Sequence, residues 1–413
     1  MLDSYRGISK DAKYLVYQSV LPSVSYGLFF TDISYFLTTV QGLSFPFMGL
    51  VITIIGIATF LASFPLGVAA DRYGRKKILL VGNVVSGLIL IVFAFSTNPI
   101  ILLVAAVLEG ISEAAFSVSS GAWLAEKTND NNRNSVFCLF GFAQSLAFGI
   151  GGIAIPGVIV FELLGFSNSI GHGLLYVMMA VLCILSTLIL IKIPESYKPK
   201  KTNLKLSIPD KLNHNRHSIG IVAKYVFSSA IIAVGAGMVV PLMTAWLRLQ
   251  YGIPDTVSGP ILGVVSIVIA VATLAGPPIA RRLGLVKAIV IMQASSTVFM
   301  FATPLANNYM LASSVYTVRA FLMNMASPLS QSMIMGLVDE KDRGLASGIN
   351  TALWRLPNAL STYVGAALME MGFLAAPFFI ASLLYSISIA LFWYFFRKTK
   401  LPEEQSPSQT KTS

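Results

Sequence analysis

The sequence predicts an all-α membrane protein with twelve transmembrane helices, arranged as two pseudo-symmetric six-helix bundles. Of its 413 residues, 55% are hydrophobic and only 11% are charged, and the mean hydropathy is +0.75. A soluble protein carries about 25% charged residues, so this chain has too little polar surface to cover itself in water. Its apolar runs are long and do not alternate, which favours membrane-spanning helices over the strands of a barrel.

The number of spans follows from the apolar runs that are long enough to cross the hydrocarbon layer, which takes about 20 residues. Short connections rich in turn-forming residues, such as Ser96-Thr97-Asn98-Pro99, separate the runs. We place the twelve spans near residues 14–38, 46–70, 78–96, 99–123, 135–159, 172–193, 221–246, 257–280, 285–304, 309–336, 345–369 and 374–396.

The basic residues predict the orientation of these spans. With twelve spans, 26 of the 29 Lys and Arg residues fall in the termini and loops of one side. Because cytoplasmic loops retain Lys and Arg, we expect both termini to be cytoplasmic and the protein to lie in the plasma membrane. The net charge of +11 is thereby explained without a nucleic-acid partner.

A polar, Lys-rich segment divides the chain into two halves. We expect a first bundle at 1–193, a cytoplasmic linker at 194–220, a second bundle at 221–396 and a polar cytoplasmic tail at 397–413. An internal repeat supports this division, because similar residues recur at an offset of 209 or 210. The recurring pairs are Gly67 and Gly276, Arg72 and Arg281, Asn83 and Gln293, and Arg133 and Arg343.

The loop between the second and third spans carries a specific motif. It comprises Gly67, Asp71, Arg72, Gly74, Arg75 and Lys76. This pattern, in this loop of a twelve-span chain, resembles the signature of the major facilitator superfamily, including its multidrug-efflux members. The resemblance implies two six-helix bundles that rock about a central cavity lined by helices one, four, seven and ten.

The chemistry of this loop has two interpretations. Its glycines permit tight turning of the backbone, and Asp71 lies near a helix end where it can pair with an Arg or favour a helix N-terminus. The loop is then a conformational latch that holds one state of the transporter. In the alternative, the basic residues are an ordinary cytoplasmic anchor.

Five charged residues stand out well inside the predicted spans, where a charge is costly and marks a candidate site. They are Asp32, Glu109, Glu113, Arg319 and Arg355. Glu109 and Glu113 are four residues apart on one helix face, so they can couple transport to protons or neutralise an Arg. Asp32 can face the cavity or water, and Arg355 can stack on Trp354 or contact substrate. Arg319 should face the cavity or a carboxylate.

The repeat relates two of these residues directly. An offset of 210 maps Glu109 onto Arg319, which suggests that opposite charges approach each other in one cavity. The alternatives are a permanent partner for Arg319 in its own half, or an accidental match. Four charged residues at predicted outer span ends are expected to be solvated, namely Glu162, Arg248, Asp255 and Glu370.

These observations favour a secondary transporter. No phosphate-binding loop of the GxxxxGK[ST] type is present, and no catalytic constellation, metal-ligand spacing or cofactor motif is apparent, so we do not expect an enzyme. The first hypothesis is a monomeric antiporter for proton-coupled efflux of a small amphipathic compound. One alternative is uptake or exchange of an organic anion bound by Arg319 and Arg355. Another is a membrane sensor or scaffold on a transporter fold.

Overall fold

The protein is all-helical throughout the part described by the computed structural model, residues 9–128, 133–194, 216–337 and 343–398. Within these ranges twelve long helices follow one another at the positions of the twelve predicted spans. They are α1 (Lys10–Tyr35), α2 (Phe45–Tyr73), α3 (Arg75–Phe95), α4 (Pro99–Glu126), α5 (Arg133–Ile153), α6 (Asn168–Ile191), α7 (Arg216–Gly237), α8 (Asp255–Leu283), α9 (Leu285–Ala302), α10 (Tyr309–Leu337), α11 (Arg343–Glu370) and α12 (Ala376–Phe396).

Short helical segments extend some of these helices. A π-helical turn, Phe36–Val40, continues α1, and the helices Gly157–Leu163 and Met243–Tyr251 follow α5 and α7. With such extensions, nine helices of the described chain are long and apolar enough to cross a membrane. The other three, α1, α10 and α11, carry polar side chains, including Asp32, Arg319 and Arg355, that lower their hydropathy.

Polar caps and glycines define where the helices begin and end. Ser44 and Ser167 accept hydrogen bonds from the first-turn amides of α2 and α6, and Asn98 does the same for α4. Such caps satisfy amides that have no partner inside the helix. Gly74, which separates α2 from α3, has a φ of 101°, a conformation that residues with a side chain rarely adopt.

The internal repeat is visible in the backbone. Gly42 and Gly252 both have a φ of 71°, and Gly74 and Gly284 have φ values of 101° and 80°. Each pair is separated by 210 residues, the offset found in the sequence. The predicted fold class, an all-helical membrane protein built from two repeats, is therefore confirmed.

The chain forms two compact units that do not coincide with the two sequence halves. One unit contains Met1–Asn203, Met238–Ala270 and Ala359–Leu374, and the other contains Leu204–Gly237, Val271–Asn358 and Ala375–Ser413. The first unit thus combines the first half with those parts of helices from the second half that lie away from the basic loops. The proposed linker at 194–220 and tail at 397–413 lie mostly outside the described residues, and the domain boundaries stay a prediction.

Close packing explains why parts of the second half belong to the first unit. A side chain added at Gly149 of α5 would meet the carbonyl oxygen of Gly263 of α8 at 2.6 Å. Elsewhere in the unit, the hydroxyl of Thr53 in α2 donates to the carbonyl of Ala359 in α11 at 2.7 Å. Helix backbones can approach this closely only where side chains are small.

Candidate functional site

Two acidic residues of α4 lie on one side of the helix but have different neighbours. Glu109 is 1% exposed, its Oε1 accepts a hydrogen bond from Ser86 of α3 at 3.0 Å, and its Oε2 is buried without a hydrogen-bond partner in the described chain. Glu113 is half-buried and accepts from Thr59 of α2 at 3.0 Å. Of the two carboxylates, Glu109 is therefore the more deeply buried, and one of its oxygens lacks a hydrogen-bond partner among the described residues.

Arg319 of α10 is surrounded by aromatic rings. It is 4% exposed, its guanidinium donates to the hydroxyl of Tyr385 in α12, and its Cζ lies 5.6 Å and 5.5 Å from the ring centres of Tyr316 and Tyr385. Within the described residues, no carboxylate lies within 4.0 Å of it, and its Nε has no hydrogen-bond partner. One of the expectations for Arg319 was a permanent carboxylate partner in its own half of the chain. Among the described residues, the structure shows no such partner.

Glu109 and Arg319 occupy equivalent places in the two repeats. Ser86 donates to the carboxylate of Glu109, and Ser296, which lies 210 residues later, donates to the main-chain carbonyl of Arg319 at 2.9 Å. The predicted mapping of one position onto the other thus has a structural counterpart. Whether the two side chains meet during transport stays a prediction.

Arg355 lies in α11, half-buried, two residues before Pro357. Its neighbour Trp354 is 37% exposed. It belongs to the same compact unit as Arg319, so the two arginines that were predicted as anion-binding cations are both in the second unit.

Asp32 is part of a buried cluster that sequence reasoning missed. Asp32 of α1, His172 of α6 and Asp255 of α8 are 0%, 0% and 1% exposed, and their potential ligand atoms all lie within 4.8 Å of one another. His172 Nε2 lies 2.8 Å from Asp255 Oδ2. The expectation that Asp255 is solvated is therefore wrong, because the contact between the two chain halves buries it. The proposed water exposure of Asp32 is excluded as well.

Aromatic groups enclose this cluster. The hydroxyl of Tyr176 donates to Asp32 Oδ2 at 3.1 Å. The imidazole of His172 stacks on the rings of Tyr35 and Phe36, with ring centres 6.5 Å and 5.5 Å apart. A sequence signal for the cluster exists, since all three of its titratable residues lie at ends of spans on the same predicted side. No local spacing connects them, however.

The other predicted solvated residues differ from Asp255. Glu162, Arg248 and Glu370 are exposed. Glu162 accepts from Asn168, Arg248 donates to the carbonyl of Gly252, and Glu370 accepts from the amide of Phe45 at 3.2 Å. The last of these is a further polar contact between the two chain halves.

The signature loop connects helix ends within the first half. Arg75 lies 3.3 Å from Asp71 and 2.7 Å from Glu126, and it also donates to the carbonyl of Ala122. Lys76 donates to the carbonyl of Ile191, the last residue of α6, and to that of Ile193 just beyond it; a cation is favourable at a helix C-terminus. This arrangement joins the ends of α2, α4 and α6 at the start of α3.

The remaining predicted members of the latch are less constrained. Arg72 is exposed and lies over the ring of Tyr73 at 5.4 Å. A side chain added at Gly67 would make only an ordinary contact with Val118 at 3.5 Å. In this state, close backbone approach at Gly67 is not observed, whereas the tight turn at Gly74 is. The latch function of the loop stays a proposal.

A large groove lies elsewhere on the surface, between α9 and α12. Its volume is about 920 Å³, and its lining is apolar apart from Lys287 and a few hydroxyl groups. Its lining includes Phe301, Leu383 and Trp393 and none of the five predicted intramembrane charges. We therefore do not assign substrate binding to it.

Comparison with known sequences establishes the family. The profile of the Major Facilitator Superfamily matches this chain twice, over residues 19–226 and 225–413. The chain belongs to the major facilitator superfamily, whose members are transporters and not enzymes.

Its relatives by sequence are uncharacterised. The chain is 22% identical over 383 residues to an uncharacterised membrane protein of Saccharomyces cerevisiae, with 81% of this chain and 85% of the relative covered. It is 22% identical over 356 residues to an uncharacterised MFS-type transporter of Methanocaldococcus jannaschii, with 84% and 88% covered. An uncharacterised MFS-type transporter of Bacillus subtilis is 36% identical over 104 residues, a quarter of each chain.

Solved structures share the fold at low identity. The nucleoside transporter NupG superposes with a TM-score of 0.72 at 15% identity, covering 95% of this chain and 100% of that one. A D-xylose-proton symporter superposes with a TM-score of 0.71 at 14% identity, covering 92% and 97%. These similarities show the transporter fold alone.

Proposed function

We propose that this protein is a proton-coupled secondary transporter that exports a small amphipathic organic compound by alternating access. The observation that carries the proposal is the burial of Glu109, which is 1% exposed inside a membrane-spanning helix. Its Oε1 accepts a hydrogen bond from Ser86, and its Oε2 has no hydrogen-bond partner in the described chain. A permanently ionised carboxylate in this position is costly. A group that gains and loses a proton during the cycle accounts for its presence.

Glu113 supports the same role. It lies one helical turn from Glu109 and has its own partner, Thr59. Two carboxyl groups this close disfavour simultaneous ionisation. Proton coupling is compatible with the fold, since one structural neighbour is a D-xylose-proton symporter. At 14% identity, that neighbour supplies no information about the substrate of this chain.

A second candidate function is uptake or exchange of a small organic anion. It is favoured by Arg319, a buried guanidinium between two tyrosine rings with no carboxylate partner among the described residues. A planar carboxylate can pair with a guanidinium in this environment. Arg355, in the same unit, is a candidate second cation.

The orientation is part of the proposal. We place the protein in the plasma membrane with both termini in the cytoplasm. The orientation follows from the basic residues, which lie in the termini and in the loops of one side. An impermeant thiol reagent should label a Lys205→Cys variant only after the cells are opened. Labelling in intact cells would reverse the orientation.

The test of function is a flux assay in proteoliposomes with and without an imposed pH gradient. A labelled nucleoside, a labelled pentose, a fluorescent amphipathic cation and a labelled aromatic carboxylate serve as probes. For the probe that is transported, Glu109→Gln should abolish accumulation driven by the pH gradient and retain exchange of labelled for unlabelled solute. Glu162→Gln, which changes an exposed carboxylate, is the matched control.

Three outcomes contradict the proposal. Flux that does not respond to the pH gradient excludes proton coupling. Gradient-driven accumulation that persists in Glu109→Gln, Glu113→Gln and the double variant excludes these residues as the coupling site. Transport of the aromatic carboxylate alone, lost in Arg319→Gln, favours the anion function.

A further inference from the structure

The cluster of Asp32, His172 and Asp255 joins the two halves of the chain. Asp32 and His172 belong to the first half and Asp255 to the second, and all three lie within one compact unit. Beside them, the hydroxyl of Thr244 in the second half donates to the main-chain carbonyl of Thr31 in the first. The cluster lies at the ends of α1, α6 and α8 that face away from the basic loops. It therefore closes the contact on the side predicted to be extracellular.

The hydrogen bonds of His172 define where its protons are. Its Nδ1 lies 2.9 Å from the carbonyl oxygen of Asn168. A carbonyl can only accept, so Nδ1 carries a hydrogen. Its Nε2 lies 2.8 Å from Asp255 Oδ2, a distance at which two lone pairs would repel and a shared proton is required. The pair therefore holds one proton more than a neutral imidazole and a carboxylate.

Asp32 creates the need for a second proton. Its Oδ2 accepts from Tyr176, but its Oδ1 is buried without a hydrogen-bond partner in the described chain. If both carboxylates were ionised beside an imidazolium, the buried cluster would carry a net negative charge. Among the described residues neither carboxylate forms an ion pair with Lys or Arg. A proton on Asp32 removes this excess charge, which burial makes costly.

The other groups facing the cluster do not supply a cation. They are the phenols of Tyr35 in α1 and Tyr176 in α6, and the guanidinium of Arg248 after α7, which acts on Tyr35. Arg248 is exposed and donates to the carbonyl of Gly252 at 2.8 Å. The compensating charge must therefore enter the cluster from solution.

Distances favour a proton over a metal ion. In a tetrahedral zinc site with bonds of about 2.0–2.1 Å, the ligand nitrogen and oxygen atoms lie about 3.3 Å apart. The observed separation of His172 Nε2 and Asp255 Oδ2 is 2.8 Å, the length of a direct hydrogen bond between charged partners. The cluster is closed on itself and leaves little room for an ion between these two atoms.

We propose that Asp32, His172 and Asp255 form a proton-binding gate, which takes up protons when the two chain halves close on the predicted extracellular side. This inference rests on the alternating-access part of the proposed function and adds a proton site separate from Glu109. When the contact opens, water reaches both carboxylates and the protons leave. Low pH on that side therefore favours closure. In an exporter, protons would then bind at the extracellular side after the substrate has been released there.

The protonation of His172 can be measured without substrate. The chain has three histidines, so a His214→Gln/His217→Gln variant retains His172 as a single ¹⁵N-labelled reporter. At pH 7 both ring nitrogens should give the chemical shifts of protonated nitrogen, and Asp255→Asn should return Nε2 to the unprotonated range. An unprotonated Nε2 in the parent, together with an ionised Asp255 carboxyl group in the infrared spectrum, would overturn the proposal. A spectrum that changes on addition of EDTA, or saturable binding of Zn²⁺ that Asp32→Asn abolishes, would replace the proton with a metal ion.

The gate itself can be followed by the distance between spin labels on its two sides. Cysteines at the exposed positions Thr97 and Gln250, in a background with Cys138→Ser and Cys183→Ala, report closure without substrate. Each linked proton should change the ratio of closed to open states by up to about tenfold per pH unit. The closed population should therefore rise as pH falls from 9 to 5. Asp32→Asn, which mimics the protonated residue, should raise the closed population at pH 9 and retain only the weaker pH dependence of the proton shared by His172 and Asp255, whereas Glu162→Gln should behave as the parent.

These measurements separate the gate from the proposed coupling at Glu109. Closure that does not depend on pH, or an identical pH dependence in Asp32→Asn, overturns the gate. If Glu109→Gln retains gradient-driven flux while the label distances respond to pH, the role of Glu109 is wrong and the gate is upheld. If flux is independent of pH and the distances still respond, the gate regulates closure and does not couple transport.

Discussion

Replacing Gly149 with alanine should open the contact between the chain halves without disturbing the fold. Gly149 lies in α5, where it faces Gly263 and Ile267 of α8. An alanine Cβ would lie 2.6 Å from the carbonyl oxygen of Gly263 and 2.7 Å from the Cγ1 of Ile267. The Ile267 side chain can rotate away, but a helix carbonyl can move only with its helix.

The size of the effect follows from this geometry. An ordinary contact at a Cβ atom begins at 3.4 Å, so α5 and α8 must separate by about 0.8 Å. Overpacking of a close contact costs about 1–3 kcal/mol, and a free energy of that size changes an equilibrium by about 5–150-fold. Since the cost arises only where the helices touch, the variant should shift the population from the closed to the open state by that factor.

A second glycine of α5 provides the control. A Cβ atom at Gly141 would meet nothing within 4 Å, so Gly141→Ala changes the same helix without a clash. Both substitutions gain the same intrinsic helix propensity, about 1 kcal/mol. In the spin-labelled Thr97/Gln250 protein at constant pH, Gly149→Ala should lengthen the mean distance and Gly141→Ala should not.

Two results would refute this reasoning. If Gly149→Ala gives the distance distribution of the parent protein, the close approach of α5 and α8 does not limit closure. If Gly141→Ala opens the contact equally, the effect arises from helix propensity and not from packing.

Two further predictions concern the signature loop and the repeat. Asp71→Asn should slow transport while leaving binding of the transported probe intact, because it removes the 3.3 Å ion pair between Asp71 and Arg75. The side chain of Asp71 is 55% exposed, so the variant should lose little stability. A wild-type rate would leave the loop as an anchor. Glu109→Arg and Arg319→Glu should each impair transport, and the double variant should recover part of it if the two residues meet during the cycle. Additive losses would indicate that they do not interact.

Sequence reasoning identifies the helices well because each depends on local composition. The twelve long helices of the described chain follow the apolar runs, and the tight turn at Gly74 was expected from its position in the motif. The offset of 210 residues, found with Asn83 and Gln293, recurs in the φ values of Gly42 and Gly252. These features are encoded within segments of the chain, so a single sequence reveals them.

The buried cluster could not be predicted in the same way. Asp255 begins α8, a position typical of a solvated N-terminal carboxylate, and His172 lies near the start of α6. Their burial depends on contacts between segments separated by 83 residues, and on the glycines that let the chain halves approach. Arg319 illustrates the same limit, because a carboxylate partner was one expectation and two tyrosine rings surround it instead.

The two ends of the first half are held by contacts that differ in their response to salt. At the signature loop, the ion pairs of Arg75 involve Asp71 and Glu126, whose side chains are 55% and 33% exposed. At the opposite end, the cluster of Asp32, His172 and Asp255 is fully buried. The nearby contact of Gly149 with Gly263 involves no charged group. Mobile ions screen exposed charges within about 10 Å at 0.1 M salt but act weakly on buried ones. Raising the ionic strength should therefore loosen the loop and leave the proton gate unchanged, which makes salt and pH independent controls of the two ends.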